Sequence, residues 1–145
     1  MTKVVALLTD FGLEDIYVGV MKGVIASIAP DVQIVDITHS IRPQNVREGA
    51  FALMNSYHYF PPGTTFCVVV DPGVGSKRLP IAVKTADYQF IAPDNGVLSY
   101  TLSRIGADYE IVTLENPAYQ RDHVSHTFHG RDIFSPAAAY IARGD

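Results

Sequence analysis

The sequence predicts an α/β domain built on a largely parallel sheet, and three observations carry that prediction. Short apolar runs such as Val4 to Leu8 and Thr65 to Val70 lack polar alternation, as strands buried on both faces do. Between them, apolar residues recur every three or four positions, the period of a helix with one buried face. Strand-type and helix-type segments alternate along the chain, which is the pattern of βαβ units.

Each element follows in order. The run Val4-Val5-Ala6-Leu7-Leu8 ends at Thr9-Asp10-Phe11-Gly12, a strand followed by a turn. Tyr17, Val20, Met21, Val24, Ile25 and Ile28 then share a helical face, and Pro30 closes that helix. Val32 to Ile37 reads as a second strand. Asn45, with Glu48 three residues on, caps a helix whose face carries Val46, Ala50, Leu53, Met54 and Tyr57, and Pro61-Pro62-Gly63 stops it. Thr65 to Val70 is the most β-branched segment, and it runs straight into Asp71-Pro72-Gly73-Val74-Gly75. Ile81 to Thr85 and Tyr88 to Ala92 are two strands joined by a tight Ala86-Asp87 turn, followed by Pro93-Asp94-Asn95-Gly96. Val97 to Ile105 is expected to be helical, Tyr109 to Leu114 a strand, and Ser135 to Arg143 a helix opened by Ser-Pro. The assembly these elements imply is one three-layer, Rossmann-like domain over residues 1–145. Asn116 to His126 has no clear period, and a functional loop is expected there.

Composition narrows the function classes. With 145 residues, 48% of them hydrophobic and 18% charged, the chain supports one well-packed core. A net charge of −4 and the absence of any Lys/Arg run argue against nucleic acid or an anionic membrane as partner. Val4 to Leu8 is too short for a signal-peptide core or a membrane span, so a cytoplasmic protein is expected. Cys67 lies inside Phe66-Cys67-Val68-Val69-Val70 with no cation beside it, which fits a buried thiol and excludes a disulfide framework.

Candidate chemistry gathers at strand ends, because ligands of open parallel sheets bind beyond the carboxyl ends of the strands. Asp10 follows the first strand, Asp36 ends the second and Asp71 follows the third. Any one of them also suits a turn or a helix cap. That plain reading is weakest for Asp71, since the glycines after it allow close backbone approach to a ligand and Arg78 follows in the same loop. His129 sits in Thr127-Phe128-His129-Gly130-Arg131-Asp132, ahead of the last helix. His123, His126 and His129 form an HxxHxxH pattern, but neither strand nor helix geometry converges residues at that spacing, so no metal site is expected.

Taken together, Leu8-Thr9-Asp10-Phe11-Gly12, Val35-Asp36-Ile37-Thr38-His39, Val70-Asp71-Pro72-Gly73-Val74-Gly75-Ser76, Ala92-Pro93-Asp94-Asn95-Gly96 and Thr127-Phe128-His129-Gly130-Arg131-Asp132-Ile133-Phe134 resemble the SAM hydroxide adenosyltransferases. These are relatives of the fluorinase and chlorinase enzymes. The resemblance implies hydrolysis of S-adenosylmethionine (SAM) to adenosine and methionine, with SAM as substrate and no metal or other cofactor. It implies that Asp71, Arg78 and His129 hold the attacking water. In that arrangement Asp71 orients the water and takes up or disperses its proton, while Arg78 and His129 donate to the developing hydroxide. The halogenating relatives carry an aromatic residue where Asp71 stands, which favours water over halide. The resemblance further implies that Asp10 binds the ribose hydroxyls and that Gln44, Phe128 and Gly130 line the SAM pocket. Asp94 and Asn95 belong to the signature with either a contact or a turn role. Members of the family continue into a smaller β-rich domain and assemble as homotrimers, with SAM bound between subunits. A chain ending at Arg143-Gly144-Asp145 is accordingly expected to be the N-terminal catalytic portion.

Two other readings stand beside this one. Thr9-Asp10-Phe11-Gly12-Leu13-Glu14-Asp15 superficially echoes an acidic calcium-binding loop, as in a metal-dependent, nucleoside hydrolase-like enzyme. A catalytically silent nucleotide-binding module would keep the fold without the turnover.

Overall fold

The alternation of side chains along a strand, one to each face of the sheet, divides the apolar residues of this protein between two cores. In the computed structural model, which describes residues 3–125 and 127–144, β1 (Val4–Thr9) is buried along its whole length. Val5 and Leu7 enter one core, Ala6 and Leu8 the other. The strand β3 (Thr65–Val69) divides in the same way, with Cys67 and Val69 against Phe66 and Val68. Such continuous apolar runs are required because both faces are covered.

The first core is closed by α1 (Tyr17–Ile28), through Met21 and Ile25, and by α4 (Ser135–Arg143), through Ala137, Ala138, Ala139 and Ala142. The run of alanines lets α4 lie close to the sheet. The second core is closed by α2 (Val46–Met54), through Leu53, and by residues at and before α3 (Ser99–Ile105), namely Val97, Leu98 and Leu102. At the start of α2, Asn45 Oδ1 accepts the Glu48 N–H at 3.0 Å, the cap its spacing predicted. Cys67 is fully buried, and its thiol is pushed up to about 12 by desolvation, which suits an inert core residue.

The remaining strands are β2 (Gln33–Thr38), β4 (Pro80–Lys84), β5 (Gln89–Pro93) and β6 (Glu110–Thr113). The six-stranded sheet has the order β2-β1-β3-β5-β4-β6. β1 runs parallel to β2 and β3, and β3 parallel to β5. β4 is antiparallel to both β5 and β6. The sheet is therefore mixed, with its antiparallel part produced by the short β4–β5 turn, where the Thr85 N–H donates to the Tyr88 carbonyl at 2.9 Å. A connection this short permits only antiparallel pairing.

Other departures from expectation are local. α2 stops at Met54, and Tyr57 reaches the core from a separate 3₁₀ turn, Tyr57–Tyr59. Gly96, at φ +94°, delays α3 to Ser99 while leaving Val97 and Leu98 buried. The last helix is preceded by a π-helical turn, Gly130–Phe134. No helix among the described residues is long and apolar enough to cross a membrane.

The topology leaves one opening. β1 feeds α1 on one face, whereas β3 is entered from α2 on the other, so the chain changes face between these adjacent strands. A crevice at their carboxyl ends follows from that reversal.

Candidate active site

Asp71 leaves β3 at that crevice. Its carboxylate is gripped by Arg78: Nε lies 3.0 Å from both Oδ1 and Oδ2, and Nη2 also donates to Oδ2. The side chains are 4% and 9% exposed, so this is a buried ion pair. The loop between them is shaped to make the grip possible. A Cβ on Gly73 would come within 2.9 Å of Ser76 Oγ and 3.2 Å of Arg78 Cγ, so a glycine there lets the arginine fold back over its own loop. The close approach expected of this glycine is made by the protein's own arginine. The guanidinium also lies 5.4 Å from the centroid of the Phe134 ring, which supports its apolar side. Asn95 Nδ2 donates to the Val70 carbonyl at 2.8 Å and Asn95 Oδ1 accepts the Val97 N–H at 3.1 Å. Asn95 thus ties the exit of β5 to that of β3, a turn role that also steadies the residue before Asp71.

His129 completes the group from across the fold. Its Nδ1 is 2.7 Å from Arg78 Nη2, and its Nε2 is 2.8 Å from the Ser125 carbonyl oxygen. A guanidinium only donates and a carbonyl only accepts, so the ring is neutral with its proton on Nε2. Burial, and next the Arg78 charge, hold its pKa below the usual 6.5. Both ring nitrogens are engaged within the protein. Direct donation from His129 to a water, as the resemblance implied, has no free N–H here; the ring instead holds Arg78. Asp71 Oδ1 keeps lone-pair capacity beyond the Arg78 contact, and Arg78 Nη1 makes no hydrogen bond among the described residues.

The neighbouring exit, that of β1, carries Asp10. Its Oδ2 accepts the Gln44 N–H at 2.6 Å. Gln44 is the only described non-glycine residue at positive φ, +62°, a conformation that costs of order 1 kcal/mol or more and is kept where its geometry is used. Behind this loop, Lys22 Nζ donates to Asp36 Oδ2 at 2.7 Å and His39 Nε2 lies 2.8 Å from Asp36 Oδ1. His39 Nδ1 is 2.7 Å from Thr9 Oγ1, which accepts the Phe11 N–H at 3.2 Å. Desolvation raises the Asp36 pKa, and the Lys22 and His39 bonds outweigh it, leaving the carboxyl below its usual value. Asp36 therefore serves this internal network. The signal in the sequence was Val35-Asp36-Ile37-Thr38-His39, which gave no hint of the Thr9 partner.

Phe128 and Gly130 lie on the same side. The Phe128 ring meets Tyr17 edge-on at 5.1 Å and Phe11 at 6.1 Å, with the Arg131 guanidinium 5.1 Å from its centroid. A Cβ on Gly130 would lie 3.2 Å from both Met21 Sδ and Phe11 Cε2. Gly130 is thus needed for the contact of the π-helical turn with α1 and the β1 loop. Two residues that sequence reasoning passed over complete the picture. Asp132 is fully buried, with Oδ2 accepting the Ser125 N–H and Oδ1 accepting from Arg131 Nε, both at 2.7 Å.

Among the described residues no three His, Cys, Asp or Glu side chains are grouped to hold a metal ion. His126, the middle of the HxxHxxH pattern, lies outside the described residues. In the acidic loop Asp10 accepts from Gln44, and Asp15 Oδ1, at the surface, accepts the N–H of its neighbour Ile16, 2.7 Å away.

Comparison with known proteins agrees with the motifs. The family model for the N-terminal domain of SAM hydroxide adenosyltransferases matches residues 5–145. A Salinispora arenicola protein named (R)-S-adenosyl-L-methionine hydrolase is 39% identical over 143 residues, covering 99% of this chain and 54% of its own. A Thermus thermophilus protein of the same name is 40% identical, with 97% and 57% covered. A Nocardia brasiliensis fluorinase is more distant at 28%, with 97% and 54% covered. A crystal structure of an uncharacterized conserved protein from Thermotoga maritima superposes with a TM-score of 0.94 at 47% identity, over 97% of this chain and 55% of that one. The chain spans about half the length of the curated relatives it matches.

Proposed function

The chain belongs to the SAM hydroxide adenosyltransferase family, and from that premise we propose that it supplies the water-activating half of an enzyme that hydrolyses SAM to adenosine and methionine. The observation that carries the reading is the buried Asp71–Arg78–His129 chain at the crevice between β1 and β3. In this Rossmann-like reading the nucleoside spans the switch point, with its ribose diol on Oδ1 of Asp10, which makes no hydrogen bond among the described residues, and its C5′ toward Asp71. Phe128 and Gln44 border the pocket, and Gly130 lets the Phe11 wall close on it.

The leaving group asks little of the protein, since sulfonium departs as the neutral thioether of methionine without protonation. The nucleophile asks more, because free water is far too weak an acid to lose its proton unaided near neutral pH. Asp71 accepts a hydrogen bond from the water and takes its proton as the oxygen attacks C5′, the C5′–S bond breaking in line. Arg78 holds the Asp71 carboxylate in place beforehand and offers Nη1 to the developing charge. His129 acts one step back, fixing the guanidinium through Nδ1. Attack on a sulfonium cancels charge, so a dry site lowers the barrier.

The family's second domain and trimeric assembly belong to the same proposal, as do a cytoplasmic setting and independence of metal, nucleic acid and membrane. The test is adenosine release from SAM, followed by chromatography in EDTA-treated buffer, with the full natural chain and with residues 1–145 beside it. Adenosine from the full chain in EDTA supports the reading. Activity that returns only with a divalent metal overturns it in favour of the acidic-loop hydrolase, and binding without turnover favours the silent module. Asp71→Asn is expected to lower kcat far more than it raises KM; a raised KM with unchanged kcat refutes the role given to Asp71.

A further inference from the structure

We infer that Asp132 and Ser125 are positioning residues that fix which nitrogen of His129 carries the proton, and so hold Arg78 against Asp71. The inference rests on the proposed reaction only for its catalytic consequence; the clamp itself is a matter of geometry.

Ser125 belongs to a segment without regular structure, yet three of its groups are fixed. Its N–H donates to Asp132 Oδ2 at 2.7 Å, its Oγ accepts the Phe128 N–H at 2.9 Å, and its carbonyl accepts from His129 Nε2 at 2.8 Å. Asp132 is fixed in turn, fully buried on the π-helical turn with Arg131 on its carboxylate and the Arg121 N–H donating to its carbonyl at 2.9 Å. The Asp132 carboxylate thus anchors one end of the Ser125 peptide, and the Ser125 carbonyl is aimed at His129.

The consequence follows from donor and acceptor rules. A carbonyl opposite Nε2 demands a proton there, leaving Nδ1 with a lone pair, and only that form accepts from Arg78 Nη2. With the proton moved to Nδ1, two donors would face each other and the guanidinium would be displaced from Asp71. Burial and the Arg78 charge favour the neutral ring against the opposing influence of the Ser125 carbonyl, Asp71 and Asp132. The carbonyl then selects between the two neutral forms. Outer partners of this kind, which orient a reacting group without touching substrate, typically matter by about 10- to 100-fold.

Long-range proton–nitrogen spectra of histidine-labelled protein read the tautomer directly, and the chain has five histidines to assign. The native protein is expected to show His129 neutral with its proton on Nε2 alone. Asp132→Asn, close in size but uncharged, is expected to give a mixture of tautomers, with kcat lowered about 10- to 100-fold and KM within about threefold. Ser125→Ala removes only the Oγ tether, and should give the same change in smaller degree if Asp132→Asn does not fold. A native ring protonated on Nδ1 overturns the clamp, as does a pure Nε2–H ring with unchanged kcat in whichever variant folds. Absence of turnover in the native protein would sink the proposed reaction, while the ring spectra still decide the clamp.

Discussion

Breaking the Asp71–Arg78 pair from one side should cost far more than removing it whole. Arg78→Met keeps the apolar stem near Phe134 and deletes the guanidinium, leaving a carboxylate that is 4% exposed without its cation. Uncompensated burial of one partner typically costs about 3–5 kcal/mol. For a domain of this size that is a fall in melting temperature of roughly 9–15 °C. Asp71→Leu strands the arginine in the same way, less the bond it keeps to His129 Nδ1. In the double variant neither charge of the pair remains, and well-packed apolar replacements of buried pairs are often neutral or better. The double variant should therefore be more stable than either single one, with a coupling of at least about 2 kcal/mol in a double-mutant cycle. Urea unfolding followed by circular dichroism measures this through the midpoint at constant slope. Single losses below about 1 kcal/mol, the scale of exposed ion pairs, would refute the argument, because they would mean that water reaches both charges. A large loss in each single variant with near-recovery in the double one, and no adenosine from any of the three, would separate the pair's chemical value from its stability.

Gly130→Ala should destabilise by about 1–3 kcal/mol as Met21 and Phe11 shift away from the new methyl; a thermal melt unchanged from native would show that the contact yields freely. Thr9→Val leaves the fully buried site apolar and removes partners from His39 Nδ1 and the Phe11 N–H, for an expected loss of about 1–3 kcal/mol and a raised KM through the Asp10 loop. Because the folded pKa of His129 lies below 6.5, its contribution to stability is complete above 6.5 and is lost as pH falls from there toward the folded value. Unfolding free energies between pH 7 and 5 should thus decline more steeply in the native protein than in His129→Gln; parallel curves would contradict the burial argument. Asp36 and Asp132, with lowered pKa values, lose their contributions in a separate window below about 3.8.

The strands and main helices were legible because burial on two faces leaves a mark in every residue: Val4 to Leu8 and Phe66 to Val70 carry no charged or amide side chain. Asn45 with Glu48 named the start of α2 for a similarly local reason. What could not be read was partnership across the chain. Asp71 and Arg78 lie seven residues apart and were visible as a pair, whereas His129, 51 residues from Arg78, was grouped with them only through the family resemblance, and its direct bond to Arg78 was not foreseen. That His129 turns both nitrogens inward depends on the carbonyl of Ser125, and a backbone acceptor has no residue type to announce it. The π-helical turn was equally silent, since its five residues have no period of their own. The antiparallel edge was half-visible: the Ala86-Asp87 turn implied the β4–β5 hairpin, while the pairing of β6 with β4 is a tertiary choice.

Two polar networks flank the exits of β1 and β3, and their difference argues where chemistry happens. In the first, Lys22 and Asp36 orient His39, which meets Thr9, and the chain ends at the Phe11 N–H. That line runs inward from a surface ion pair and ends on a backbone N–H, so its effect is to shape the loop that presents Asp10. In the second, Asp132 and Ser125 orient His129, which meets Arg78, and the chain ends at the carboxylate of Asp71. A carboxylate has about four acceptor sites, and the single guanidinium on Asp71 leaves room at Oδ1. The second line therefore terminates in a charged group held rigidly, buried from bulk water and still able to accept. A rigid acceptor at the mouth of a crevice is what proton abstraction requires, and the surrounding network fixes its position before any ligand arrives.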